Sequence, residues 1–183
     1  MKGFEEQILH NHINAIQKSE NFLIVHIEFI ILTYIKIKDS LLEVVKMKKL
    51  MFSSAFYTLL GMLSGLFYRE MSKAENFSGY SQLNVTHTHL LVLGTIMFLI
   101  FMLIEHQLKL TQHHTLFNYF FYVYHIGVLL TVAMQFVNGI ATMKGFEVSP
   151  AIAGISGLGH IAISIAFILF FVLLNKSINV NSK

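Results

Sequence analysis

The sequence has no cysteine, one proline and few charges among its 183 residues. Without cysteine there are no disulfides, thiolate metal sites, thiol catalysis or covalent c-type haem attachment. Pro150 is the only proline, so no apolar run is interrupted by a residue lacking a backbone donor. Charged residues make up 13% of the chain, about half the share of a soluble globular domain. The net charge of +3 is small and scattered, which argues against nucleic acid as a partner. No phosphate-binding glycine loop and no Ser-His-Asp set are present. The first, third and fourth apolar runs hold no carboxylate, the residue that often marks a proton-coupled carrier. The first twenty residues carry Glu5, Glu6, Lys18 and Glu20 without an apolar core, which is not the pattern of a signal peptide.

What is abundant is apolar surface. Hydrophobic residues make up 55% of the chain, including 17 Phe and 9 Met. A helix needs about 20 apolar residues to cross a hydrocarbon core. Four runs come near or reach that length: Met51–Tyr68, Val85–Ile104, Leu116–Val137 and Ala151–Leu174. The expectation is an all-α fold, an integral membrane bundle of four transmembrane helices in the lipid bilayer, with an N-terminal extension. Ser149 and Pro150 read as N-cap and first-turn residue of the last helix. Gly61 and Gly65 form a G-x-x-x-G, and Ala153, Gly157 and Gly159 give the fourth run small residues for close packing.

The flanking charges predict orientation. Lys46, Lys48, Lys49, Lys109, Lys176 and Lys183 fall on one side, against Arg69, Lys73 and Lys144 on the other. Cytoplasmic loops are enriched in Lys and Arg, so six against three places both ends of the bundle in the cytoplasm. The chain divides into residues 1–46, a four-helix domain over 47–176, and a tail over 177–183. Within the extension, Phe22–Ile37 reads as an interfacial helix, a short fifth span or a strand. Met47-Lys48-Lys49-Leu50 looks like an ordinary start of a membrane protein, so residues 1–46 are expected to be dispensable. His10 and His12 there are expected to be solvated.

The chemistry of the spans lies in their histidines: His87 and His89 in the second, His125 in the third, His160 in the fourth. Ionisable groups are costly in lipid and tend to face a bundle interior, where they mark function. The plainer alternative is that each imidazole hydrogen-bonds a neighbouring Ser, Thr or carbonyl. Depth distinguishes them. At the helical rise, His89 lies roughly 22 Å from Ile104 and His160 roughly 21 Å from Leu174, at one level. His87 lies roughly 25 Å from Ile104, and His125 only roughly 13 Å from Leu116. Two imidazoles at one level on different helices can hold a haem iron from its two faces. Residues two apart on a helix diverge by about 200°, so His87 and His89 cannot point at one metal. The metal candidates are thus His89, His160, His87 and His125. Gly157 leaves room for a porphyrin, or alternatively for a packed helix. Arg69 is level with haem propionates, or alternatively pairs with Glu70. His106, His113 and His114 fall on a short loop, where solvation is expected and a surface metal is the alternative.

The stretch Thr86 to Gly94, together with Gly65 to Glu70 and Gly157 to Ile161, resembles a family of short bacterial four-helix membrane proteins, the domain of unknown function 2871. The resemblance covers about Met47 to Leu174. It implies the four-span fold and a plasma-membrane location, and no established activity. The H-x-H helix is also distantly similar to the ligating helix of haem–copper oxidase subunit I. These resemblances carry over His87, His89 and His160, while His125 rests on its own position. The function expected is b-type haem binding by transmembrane histidines for electron transfer or redox or gas sensing, with a quinone or a redox partner. The alternative is a non-enzymatic membrane protein, a small transporter or assembly partner, with structural histidines.

Overall fold

The computed structural model describes the backbone of residues 2–147 and 150–181, and side chains from residue 24 to 179 except 39, 148, 149 and 153. It is all-helical, with no strand among the described residues. Helix α1 covers Lys2–Ala74; α2, Leu83–His89; α3, Met97–Leu108; α4, His114–Met143; and α5, Pro150–Asn181. A π-helical segment, Leu90–Ile96, joins α2 to α3. Among the described residues, four stretches are long and apolar enough to cross a membrane: Ile24–Ala74, Leu83–Leu108, His114–Met143 and Pro150–Asn179. The chain is therefore an all-α membrane bundle of four helices.

Two units are distinguishable, residues 1–45 and 46–183. The first is helical, which removes the strand alternative for Phe22–Ile37. From Gly3 to Gly61 the sequence offers neither glycine nor proline to end a helix. The described side chains of this unit are almost all exposed, Phe29 at 69% and Leu32 at 66% among them. The side chains of His10 and His12 lie outside the described residues.

The second unit is the bundle. Its surface is apolar, with Phe52, Leu59, Met62, Leu103, Ile126, Ile168 and Phe171 all exposed, as lipid-facing residues are. Its packing uses small residues, since lipid removes the hydrophobic drive between helices. Gly61 and Gly65 turn toward the second span: a Cβ on Gly65 would sit 3.7 Å from that of His87. The G-x-x-x-G thus packs inside the bundle. Gly94 lies so close to the Tyr57 ring that no side chain fits there. A Cβ on Gly159 would come 2.8 Å from the Thr131 backbone nitrogen, which brings α5 tight against α4.

The two ends of the bundle close differently. At the Lys49 end, Lys109 adopts the left-handed conformation (φ 49°) and stops α3. The fully buried Glu105 carboxylate then accepts the Thr111 backbone N–H at 3.0 Å and also its hydroxyl. The Lys46 ammonium donates to the Thr111 carbonyl at 3.4 Å. Glu105, the residue just past the apolar run Val85–Ile104, is the clamp of this loop. At the Arg69 end, Ser81 is buried and donates to the Gly139 carbonyl at 2.9 Å. Pro150 opens α5, while its proposed cap Ser149 lies outside the described residues. Helix α5 continues through the start of what reads as a tail, with Ser177 buried.

Candidate functional site

The histidines separate into two environments, and the path of the second span does the separating. A π-helix follows His89 at once. Such segments are rare, widen the backbone turn and recur at functional sites. Here neighbouring helices hold its carbonyls: Tyr124 donates to Leu93 at 2.8 Å and Ser54 to Thr95 at 3.1 Å. Thr58 and Thr95 hydroxyls meet at 2.9 Å. These side chains, with the Gly94 contact, pin the segment where the α-helical ladder is interrupted.

Toward the Lys49 end lies an aromatic plug. Phe98, Phe101, Phe120, Tyr124 and Tyr57 are fully buried, and Phe101 meets Phe120 at 4.9 Å and Phe170 at 5.0 Å between centroids. His125 is part of this plug. Its Nδ1 accepts from the Tyr57 hydroxyl at 2.8 Å, and its Nε2 lies 3.2 Å from Ser53 Oγ. Ser53 donates onward to the Lys49 carbonyl at 3.0 Å, so the Ser53 oxygen accepts and His125 carries its proton on Nε2. The ring lies 4.6 Å from Phe98 and 4.5 Å from Phe121. Both nitrogens of His125 are thus engaged by protein.

Toward the Arg69 end the bundle opens into a groove of about 200 Å³. Its floor is Thr131 and Gln135 of α4. One wall is Gln82 and Val85 of the second span, the other Ser156 and His160 of α5, and Tyr80 stands at the end. His89 follows Val85 by one turn on the same side of its helix. Its Nδ1 lies 2.9 Å from the Val85 carbonyl, and His160 Nδ1 lies 3.2 Å from the Ser156 carbonyl. A carbonyl only accepts, so both imidazoles place their proton on Nδ1 and leave the Nε2 lone pair open. Metal-ligating histidines are commonly anchored this way. His89 is half-buried and His160 exposed at the groove rim.

The other sequence candidates fall elsewhere. His87 faces Gly65 of α1, away from the Val85 side, and its buried Nδ1 has no partner. The divergence expected from H-x-H spacing is present. Gly157 is exposed, and a Cβ added to it would meet nothing within 4 Å, so no helix packs there; Gly159 carries the close contact instead. Arg69 is exposed and lies 3.8 Å from Glu70. His106 and His114 are exposed, and His113 is half-buried. Among the described residues no three metal-ligating side chains converge.

Sequence reasoning missed the groove floor. Thr131, Gln135 and Asn138 are buried and each keeps an oxygen without a partner. Asn138 donates to Gln82 Oε1 at 3.3 Å and Ser156 Oγ at 3.2 Å, which ties the floor to both walls. Their signal was available: three polar residues spaced by four and three along an otherwise apolar span share one helix face.

The model of a family described as protein of unknown function (DUF2871) matches residues 47–177. No curated protein and no solved structure matches the chain. The likeness of the H-x-H helix to haem–copper oxidase subunit I accordingly has no support.

Proposed function

The chain belongs to this family of unknown function, and from that premise we propose that it binds b-type haem through His89 and His160. The observation that carries the reading is the matched state of the two imidazoles. His160 lines the groove and His89 stands one turn beyond Val85 of the opposite wall, each fixed by Nδ1 to a carbonyl of its own helix, each with Nε2 free. Gly157, one turn before His160, meets open space, which leaves room for a porphyrin edge beside α5. Ligation from both sides suits electron transfer, and a single ligand leaves iron a place for a gas. His87 and His125 are secondary: one faces α1, the other is engaged by Tyr57 and Ser53. Arg69 would answer propionates only by leaving Glu70.

The test is the absorption spectrum of the full chain purified from haem-replete membranes. A Soret band that follows the protein and is lost in His89→Ala or His160→Ala supports the reading; a colourless protein overturns it. A plasma-membrane location with both ends cytoplasmic is part of the proposal, on the lysine bias. A reporter after Lys183 active only outside the cytoplasm would reverse the orientation.

A second reading rests on the exposure of His160 and the full satisfaction of His125: a non-enzymatic membrane protein, transporter or assembly partner, with structural histidines. It requires that Gln at 89 or 160 leave every property of the protein unchanged.

A further inference from the structure

We propose that the floor of the groove, Thr131 and Gln135 with Asn138 beside them, is a binding site for the headgroup of a membrane-soluble quinol. The inference goes beyond haem binding and does not require iron.

The starting point is an energetic anomaly. Thr131, Gln135 and Asn138 are 2%, 9% and 8% exposed, inside a membrane span, and each has an oxygen with no donor. Buried polar atoms are nearly always paired, because an unpaired one in an apolar setting carries its full desolvation cost. Thr131 and Gln135 line the cavity, so a donor for them arrives through it. The unmet atoms are mostly acceptors. No Lys, Arg, Asp or Glu lines the cavity, so the ligand is a neutral molecule with hydroxyl donors.

Geometry narrows the class further. Thr131 and Gln135 are one helical turn apart, a rise of roughly 5.4 to 6 Å, which is about the separation of two hydroxyls on opposite sides of one six-membered ring. A cavity of about 200 Å³ takes one such ring. Thr131 and Gln135 lie inside the third span, His114–Met143, so a ligand that reaches them is soluble in the membrane. Tyr80 at the groove end is 71% exposed and marks the interfacial side, from which an amphiphile's headgroup enters. A ring with para hydroxyls on a membrane-soluble tail meets these requirements, whereas a small aqueous solute does not partition into a bilayer to this depth.

The experiment uses the full chain in lipid nanodiscs, titrated by calorimetry with a decyl-tailed benzoquinol. Saturable binding is expected, with affinity falling roughly tenfold in Gln135→Leu and by a similar factor in the near-isosteric Thr131→Val. Should Gln135→Leu fail to fold, Thr131→Val and the quinol-dependent rise in Tm of the unaltered chain still decide. Urea, a neutral aqueous donor, is expected to give no such rise. His89→Ala removes a proposed iron ligand but no cavity-lining residue, so its quinol affinity is expected to hold. Loss of pigment without loss of quinol binding therefore separates the two ideas. Absence of saturable quinol binding, equal protection by urea, or unchanged affinity in both floor variants overturns the proposal and leaves water as the occupant.

Discussion

The two halves of the bundle use the same residue type in opposite ways. In the Lys49 half, the half-buried His125 sits among Tyr57, Phe98 and Phe121 with both nitrogens bonded. In the Arg69 half, His89 and His160 bond only their own helices, and His160 borders an opening whose floor has unmet acceptors. Around His125 the hydrogen bonds are completed internally, and that histidine serves as structure. The other half has left them open, and open polar atoms within a membrane span are what a ligand completes. The π segment sits between the halves, pinned by side chains of α1 and α4.

The comparison breaks most visibly through pigment. His89→Ala and His160→Ala are each expected to abolish the haem spectrum, while His125→Ala retains it; a band lost only with His125 would invert the assignment of the halves. Stability gives the mirror image. His125→Ala removes a ring from the plug and leaves the Tyr57 hydroxyl unpaired, for a loss of about 2 to 3 kcal/mol in thermal or denaturant unfolding. His160→Ala is expected to stay within about 0.5 kcal/mol of the parent, as surface changes do.

The next contrast is between two glycines. Gly94→Ala forces a methyl into the Tyr57 ring and disturbs the π segment, at a cost of about 1 to 3 kcal/mol. Gly157→Ala meets open space and is expected to unfold with the parent Tm, or slightly above it, since alanine favours the helix by up to about 1 kcal/mol. Equal Tm values for the two variants would show that the Gly94 contact is not a constraint. The smallest effect is expected from removing residues 1–46. That change takes away the 3.4 Å Lys46–Thr111 bond, and membrane accumulation of the 47–183 chain should match the full chain on a blot. A clear fall in accumulation would give the exposed apolar helix of the first unit a role in the bundle.

Much of the architecture follows from the sequence alone. Four apolar runs of spanning length dictate four helices in a bilayer, because lipid offers the backbone no other partner. The missing prolines and glycines between Gly3 and Gly61 make the extension helical, since nothing there interrupts the ladder. The 200° step between His87 and His89 sends them to different neighbours, and their spacing alone says so. Tertiary structure decided the rest. Which histidine is satisfied depends on what stands opposite it, and only packing brings Tyr57 and Ser53 to His125 across about seventy residues of chain. Whether a small residue marks a contact or a gap is equally a matter of neighbours: Gly159 meets Thr131, and Gly157, two residues earlier, meets nothing. The groove lies over α4 between the Arg69-end stretches of the second span and α5, two helices that meet farther along at Phe101 and Phe170. A void between helices is a property of their arrangement, and no single helix encodes it.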